Sequence, residues 1–145
     1  MGDAAPDVIC FSGHDWWYHN RAHSDIQLMT RVSASRKVLF VNSIGMRMPM
    51  PGRSTFPWRR IFRKALSMLR FVRRPLPERR NFVVMTPIMV PFYGVPFLRN
   101  LNFALIRFQI GMVSRLIGLR RPHIFVTVPT AIEVCRSMKA TTLTY

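Results

Sequence analysis

The sequence is poor in acidic residues. Only 6 Asp and Glu stand against 22 Lys and Arg in 145 residues, which gives a formal net charge of +16 at pH 7. Residues 47–80 concentrate the excess, with eleven basic residues and the single acid Glu78. Such a basic block is typical of a surface that meets phospholipid headgroups, nucleic acid or a phosphorylated ligand.

Cysteine is also scarce, and its two positions, Cys10 and Cys135, form no C-x-x-C pair. This spacing excludes a disulfide framework. Both cysteines fall within apolar stretches, which predicts buried free thiols in a reducing cytoplasm.

Long apolar runs and targeting signals are missing as well. No stretch reaches the ~18 apolar residues expected of a transmembrane helix. The start of the chain lacks the basic and apolar regions of a signal peptide. We therefore expect a cytoplasmic protein that is peripheral to the inner face of the cell membrane.

Several short functional motifs are absent. There is no Gly-x-Ser-x-Gly elbow, no P-loop and no complete G-x-G-x-x-G. There is also no RNP motif, zinc-knuckle spacing or helix-turn-helix signature. The aromatic residues lie mainly outside the basic block, whereas single-strand binders interleave the two. A basic nucleic-acid-binding protein therefore stays an alternative, and nucleic acid is not the favoured partner.

Four short apolar runs are present, and helical segments separate them. They predict strands near residues 7–11, 37–42, 81–86 and 123–128, with a fifth strand beginning within Ala140–Tyr145. Apolar strands alternating with helices predict an α/β fold with a Rossmann-like, doubly wound parallel sheet in three layers. We expect one domain over residues 1–145 that is truncated at its C-terminal end.

Four helices are predicted, over Ser24–Ser35, Pro57–Arg74, Phe97–Ile117 and, as a short one, from Pro129-Thr130 to about Lys139. The second has an apolar face opposite a Lys- and Arg-rich face, which suits the headgroup boundary of an anionic membrane. Its predicted membrane-binding residues are Trp58, Arg59, Arg60, Phe62, Arg63 and Lys64. The alternative is an ordinary domain helix whose apolar stripe packs on the sheet. The third is predicted to be a core helix, although Arg99, Arg107 and Arg115 could extend the basic surface.

The segment after the first strand, Ser12 to Tyr18, collects polar and aromatic side chains. Ligands of parallel α/β sheets bind beyond the carboxyl ends of the strands, so we expect a binding site to begin here. His14 and Asp15 are candidates for proton transfer. Alternatively, Asp15 caps a turn and His14 is a solvated loop residue. Trp16, Trp17 and Tyr18 offer flat faces for stacking, or one of them packs against the first helix.

The order of elements resembles the N-terminal domain of GT-B glycosyltransferases. The resemblance is carried by His14-Asp-Trp-Trp17 after the first strand and by Arg36-Lys-Val-Leu-Phe-Val-Asn42 after the first helix. It is greatest to bacterial enzymes of the group-4 type that build exopolysaccharide. His123-Ile-Phe-Val-Thr-Val-Pro-Thr130 is similar to the strand and proline-containing turn of those enzymes.

This resemblance implies a two-domain enzyme with its active site in the cleft between the domains. The N-terminal domain shapes the acceptor pocket, and the C-terminal domain holds the nucleotide sugar, usually with a Glu-x7-Glu pair. The chain has only Glu78 and Glu133, so that pair cannot form. The implied function is the acceptor-binding portion of a membrane-associated glycosyltransferase that is inactive alone. The alternative outside the enzymes is a non-catalytic peripheral membrane adaptor.

The resemblance also assigns roles to the predicted site residues. Trp16, Trp17, Tyr18, Pro129 and Thr130 are expected to bind a glycan or lipid-linked acceptor. Ser12 and Gly13 form a minimal phosphate loop, and His14 and Asp15 are the catalytic candidates. The nucleotide sugar is expected to reach the site only through the missing C-terminal domain. No cofactor is expected, and no metal, although His14, His19 and His23 have a spacing that invites one.

Overall fold

The computed structural model describes residues 6–18, 21–44, 59, 62, 66, 69–90, 95–140 and 142–145. Within them lies one six-stranded, mostly parallel sheet. Its strands are β1 (Val8–Phe11), β2 (Val38–Val41), β3 (Val72–Arg73), β4 (Phe82–Met85), β5 (His123–Val126) and β6 (Thr142–Thr144). Their order across the sheet is β3-β4-β2-β1-β5-β6. Only β3 is antiparallel to its neighbour.

The four predicted strands are confirmed, and they are parallel to one another. Every residue of β1, β2 and β4 is buried. Strands that are covered on both faces need apolar side chains on both, which explains their continuous rather than alternating apolar runs. The fifth predicted strand is β6, which pairs with β5 and is exposed throughout.

Helices cover both faces of the sheet. Helix α1 (Ser24–Val32) buries Ile26 and Met29 against one face. Helix α2 (Pro96–Leu116) covers the other face, and it is followed after β5 by a 3₁₀ turn (Pro129–Ala131) and the short helix α3 (Ile132–Cys135). The residues of α2 that meet the sheet are Phe103, Ile106, Ile110 and Val113.

Two buried amides of α2 hold the segment that follows β4. Asn102 accepts from the Val90 N–H at 2.8 Å and donates to the Val90 carbonyl at 2.9 Å. Gln109 does the same for Ile88, at 2.8 and 2.7 Å. The side chains thus satisfy backbone groups that no strand pairs, which buried polar groups require.

Helix α2 ends in a Schellman motif. Gly118 has φ +67° and donates its N–H to the Arg115 carbonyl at 3.1 Å, and Leu119 donates to the Ser114 carbonyl at 2.9 Å. Glycine adopts this left-handed conformation without the steric cost that a Cβ brings. The Lys37 ammonium donates to the Gly118 carbonyl at 3.0 Å, which ties the end of α2 to β2.

The predicted helix 57–74 ends earlier than expected. Arg59, Phe62, Leu66 and Leu69 are helical, but Val72 and Arg73 form β3. The extension of the helix to Arg74 was therefore wrong. This segment pairs with the edge of β4. Thr86 donates its N–H to the Phe71 carbonyl at 2.9 Å, and Val72 pairs with Met85. Unsatisfied groups at a strand edge outweigh a weak helical pattern next to Pro75.

Both cysteines are buried thiols, as predicted. Burial raises the pKa of Cys10 far above the ordinary thiol range, and the nearby Asp25 carboxylate adds to the effect. Burial raises the pKa of Cys135 to about 12. Neither thiol therefore has the thiolate character that makes a cysteine reactive. In the part of the chain that the structure describes, no helix is long and apolar enough to cross a membrane.

Candidate functional site

The loops after β1 and β5 meet at the carboxyl edge of the sheet. β1 lies between β2 and β5. The β1–β2 connection contains α1, which packs in one apolar cluster, and the β4–β5 connection contains α2, which packs in the other. Ligands of parallel α/β sheets bind outside the carboxyl ends of the strands where the strand order reverses in this way. Gly13 donates its N–H to Thr127 Oγ1 at 3.0 Å, which joins the two loops.

A buried carboxylate organises the first loop. Ser12 Oγ donates to Asp25 Oδ2 at 2.5 Å, and His14 Nδ1 lies 3.2 Å from the same oxygen. The His14 N–H in turn donates to Ser12 Oγ at 2.9 Å. Asp25 lies in the first turn of α1, where a negative charge is favoured by the helix dipole. We call Ser12, His14 and Asp25 the Asp25 cluster.

Two opposing effects set the pKa of Asp25. Burial alone would raise it, because the Asp25 side chain is only 4% exposed. The hydrogen bonds from Ser12, His14 and the Ile26 N–H, together with the charge of His14, outweigh burial and lower the pKa. Asp25 is therefore a carboxylate at neutral pH and can hold an imidazole in a fixed orientation.

This geometry gives His14 the chemistry of a general base. A carboxylate that accepts from Nδ1–H fixes the tautomer in which Nε2 carries the basic lone pair. The His14 side chain is 34% exposed, so it lies at the boundary between the buried carboxylate and solvent. The His23 ring stacks on it with 3.7 Å between centroids and 15° between planes. The stack further restricts the orientation of the His14 ring.

Asp15 lies in the loop after β1, and a catalytic role for it stays a prediction. Its side chain is buried, and Oδ1 accepts from the Trp17 N–H at 3.0 Å. Its carbonyl accepts from the Tyr18 N–H at 3.2 Å. These contacts fit the interpretation of Asp15 as a turn cap. The carboxylate that meets His14 is Asp25, which the sequence analysis did not select.

The three aromatic residues of the loop separate into a core residue and two outer ones. Trp16 is 3% exposed and packs on Phe40 and Phe82, with ring centroids 6.0 and 4.9 Å away. The packing alternative therefore applies to Trp16, whose ring presents no open face to an acceptor. Trp17 is half-buried, and Tyr18 is 39% exposed. Acceptor binding by these two stays a prediction.

Basic side chains cover both tryptophans. The Arg21 guanidinium lies 5.0 Å from the centre of the Trp16 ring, and Arg70 lies 4.8 Å from that of Trp17. Such cation–π contacts are favourable, more so when partly desolvated. Arg70 comes directly after the helical residue Leu69, so it links the basic block to the site loop. Among the described residues, the buried indole N–H groups of Trp16 and Trp17 have no hydrogen-bond partner.

A series of side-chain hydrogen bonds anchors the loop after β1 to the ends of the neighbouring strands. The Trp16 N–H donates to Asn42 Oδ1 at 2.9 Å, and Asn42 Nδ2 donates to Thr86 Oγ1 at 2.8 Å. Asn42 and Thr86 directly follow β2 and β4, and both are fully buried. The carboxyl ends of three neighbouring strands are thus connected through side chains, which makes this loop a rigid support.

The remaining predicted site residues lie at the same edge. Pro129 and Thr130 are exposed in the 3₁₀ turn after β5, two and three residues beyond Thr127. The Ser12 hydroxyl is buried and donates to Asp25, and the Gly13 N–H donates to Thr127. Contact of Ser12 and Gly13 with a phosphate stays a prediction.

Histidines do not gather into a metal site in the ranges that the structure covers. His14 and His23 stack face to face, and His19 lies outside the described residues. No group of three His, Cys, Asp or Glu that could hold a metal occurs among the described residues.

Most of the predicted membrane-binding residues fall outside the description. These are Trp58, Arg60, Arg63 and Lys64. Arg59 and Phe62 are described, and both are exposed, Phe62 at 65%. Leu66 and Leu69, which continue the apolar face, are 39% and 77% exposed. The described part of this face is therefore exposed, and membrane binding by the segment stays a prediction.

The described residues also form a shallow depression of about 370 Å³ at the opposite, amino-terminal edge of the sheet. It is lined by Ser33, Ala34, Pro77, Glu78, Arg79, Arg80 and Asn81. Its one carboxylate and two guanidiniums are not joined by any short contact to the Asp25 cluster. The carboxyl edge is the better candidate because it combines a buried carboxylate with a partly exposed histidine.

Comparisons with known proteins find no matching family model, no matching curated protein and no matching solved structure. What the structure defines is an α/β protein with a mostly parallel sheet and an Asp–His pair at its carboxyl edge.

Proposed function

We propose that the chain is the acceptor-binding side of a membrane-associated GT-B glycosyltransferase. In this proposal the sheet and its helices are a Rossmann-like, three-layer N-terminal domain, and a second domain holds the nucleotide sugar. The observation that carries the proposal is the His14–Asp25 pair, which lies at the carboxyl edge where β1 and β5 adjoin. Glycosyl transfer needs a group that takes a proton from the acceptor hydroxyl, and this pair has that chemistry.

The surrounding residues suit a sugar acceptor. Tyr18 is 39% exposed and offers an aromatic face beside a polar edge, which is the surface that stacks on a pyranose ring. In this proposal a sugar replaces the Arg70 guanidinium on the ring of Trp17. The exposed Thr130 provides a hydroxyl that can both donate and accept hydrogen bonds. In this proposal His14 receives the proton, Asp25 stabilises the resulting imidazolium, and the aromatic residues position the sugar.

Attachment to the membrane is the second part of the proposal. Phe62, Leu66 and Leu69 are exposed helical residues that helical spacing puts on one face, and Arg59 is helical and exposed as well. Exposed apolar groups beside cations suit the boundary between lipid headgroups and acyl chains. Arg70 on Trp17 places this segment beside the acceptor loop, which favours a lipid-linked over a soluble acceptor.

Acceptor binding can be tested by NMR on the purified 145-residue chain. The probes are short prenyl diphosphates linked to glucose, galactose or N-acetylglucosamine. We expect a sugar-linked probe to shift the ring resonances of His14 and the indole resonance of Trp17, whereas the sugar-free prenyl diphosphate shifts neither. His14→Gln should weaken binding, and Leu28→Ser on the outer side of α1 is the matched control. Equal responses to sugar-linked and sugar-free probes count against the acceptor role and favour a membrane adaptor.

Catalysis supplies a second test. The same chain, incubated with nucleotide sugars and these acceptors, should transfer no sugar, because both substrates must be held together in near-attack geometry. Transfer detected by mass spectrometry would show that a separate donor domain is not needed.

A further inference from the structure

Helix α2 is apolar on the side that faces away from the sheet. Phe97 is 72% exposed, Leu101 44%, Phe108 70% and Met112 37%. Ala104 between them is exposed as well. Spacings of three and four residues put these side chains on one face of a helix. We call these five residues the outer stripe. It is about 22 Å long at 1.5 Å per residue.

This arrangement differs from that of a helix whose outer side meets only water. A surface helix normally buries one apolar face and turns polar residues outward. Here the inner face is buried by Ile106, Ile110 and Val113, and the outer face is apolar again. A contiguous exposed apolar surface marks a place where something binds.

The charges around the outer stripe indicate what binds. Helix α2 contains no acidic residue, and Arg115 continues the line of the stripe three residues beyond Met112. Arg107 lies to one side of the stripe and donates to Ser137 Oγ at 2.8 Å, and Arg99 lies on the opposite side of the helix. Arg120 and Arg121 follow four and five residues after the end of α2, and both are exposed. A partner that is apolar along the stripe and negatively charged at its C-terminal end therefore fits this surface.

Two other occupants fit these charges less well. A second copy of this chain would bring together two chains of formal net charge +16, with no acidic residue in either α2 to offset the repulsion. Nucleic acid is anionic, but its outer surface is the phosphate backbone and offers no apolar phase for Leu101 and Met112. An anionic bilayer provides acyl chains for the stripe and phosphates for the arginines.

We propose that the outer stripe is a membrane-docking surface that lays α2 in the headgroup boundary of an anionic bilayer. Three arginines keep α2 from being apolar enough to span a membrane, so it lies in the plane of the interface. The proposal does not depend on glycosyl transfer or on the segment from Trp58 to Leu69. It adds a docking surface to a helix that the sequence analysis assigned mainly to the core.

A site-specific fluorescent label tests the proposal. Met112→Cys and, as the matched control, Gln27→Cys on the exposed side of α1 are labelled with the environment-sensitive dye NBD. Cys10 and Cys135 are buried, with raised pKa values, so labelling is selective for the new thiols. Vesicles of mixed phosphatidylglycerol and phosphatidylcholine should increase and blue-shift the emission at residue 112 and leave residue 27 unchanged. Vesicles of phosphatidylcholine alone should change neither.

Substitution of residues in the outer stripe measures how much they contribute to the affinity for vesicles. Phe97→Ser with Phe108→Ser should weaken binding to the mixed vesicles by about tenfold or more, because two large apolar side chains no longer enter the bilayer. Leu28→Ser should leave binding unchanged. Phe62→Ser with Leu69→Ser reports separately on the segment of the proposed function. Urea unfolding of each variant establishes that it is folded.

Three results would overturn the proposal. The first is an unchanged emission at residue 112 in vesicles that bind the chain. The second is a dimer in light scattering that the Phe97 and Phe108 substitutions dissociate, since the stripe is then an interface between copies. The third is a response of residue 112 to DNA oligonucleotides that exceeds its response to lipid. Sugar binding at His14 is measured independently, so failure here leaves the acceptor test intact.

Discussion

The two long helices on the faces of the sheet differ in their outer sides. Helix α1 turns Ser24, Gln27 and Arg31 to solvent, with Leu28 as its one large apolar residue on that side. Helix α2 turns the outer stripe to solvent over most of its 21 residues. The first is what packing on a sheet beside water requires. The contrast shows that packing within the described domain explains the whole pattern of apolar and polar residues in α1, whereas in α2 it explains only the buried side.

The largest expected effect sharpens the contrast within α2 itself. Ile106→Ala removes a side chain that is 0% exposed and should lower the free energy of unfolding by about 2–5 kcal/mol. Phe108→Ala, two residues away and 70% exposed, should change it by no more than about 0.5 kcal/mol. Urea denaturation followed by circular dichroism measures both. A loss at Phe108 comparable to that at Ile106 would mean that the outer stripe is covered within the domain.

The next effect concerns the buried side of α1, where the charged Asp25 lies beside the apolar Ile26 and Met29. Asp25→Asn should lower the free energy of unfolding by about 1–3 kcal/mol at pH 7, because Ser12 and His14 lose a charged acceptor in a buried place. The folded-state pKa of Asp25 is lowered from 3.8, so its stabilising contribution is present above pH 3.8 and is lost as pH falls through the folded pKa. The difference from the natural chain should therefore shrink in acid. Chemical denaturation over a pH series measures this difference in the free energy of unfolding. A difference that does not change with pH would show that the charge of Asp25 is not its cause.

A smaller effect lies at the end of α2. Gly118→Ala should cost about 1–2 kcal/mol, since an alanine at φ +67° suffers the left-handed penalty. Its Cβ would also lie 3.3 Å from Lys37 Nζ, and that flexible side chain can move aside. Gly111→Ala, where a Cβ meets nothing within 4 Å, is the control and should be neutral or stabilising. Thermal unfolding that ranks the two variants in the opposite order would contradict the Schellman assignment.

The smallest effect is expected on the outer side of α1. Leu28→Ser should leave the stability within about 0.5 kcal/mol of the natural chain and leave binding to anionic vesicles unchanged. Sedimentation with vesicles and urea denaturation test both statements. Loss of vesicle binding would place α1 in the membrane contact and end the contrast between the two helices.

The fold was predictable where apolar runs have clear ends. β1, β2, β4 and β5 were identified because each is a short buried run between turn residues. β3 was missed, since two residues that pair with the edge of β4 leave no periodic pattern in the sequence. The exposed side of α2 was not recognised because apolar residues on most sides hide which face the sheet covers.

The candidate site was predictable in its place and less so in its members. The carboxyl end of β1 and the residue His14 followed from the position of polar residues after a buried run. Asp25 was missed because it looks like a common acidic residue in a first helical turn, and only the fold brings it within 3.2 Å of His14. Trp16 was assigned to a ligand because the sequence does not tell an inward from an outward aromatic residue in one loop.

The central position of β1 has a consequence for the synthesis of the chain. β1 precedes every other described strand in the sequence. Its neighbour β5, in which His123 pairs with Val8, is the last but one to be synthesised. At about 5–20 residues per second, one edge of β1 waits several seconds on the ribosome before β5 exists. An apolar strand with an open edge is prone to pair with other chains. Folding yield should therefore depend on chaperones that shield nascent β1, and faster translation should shorten this exposure.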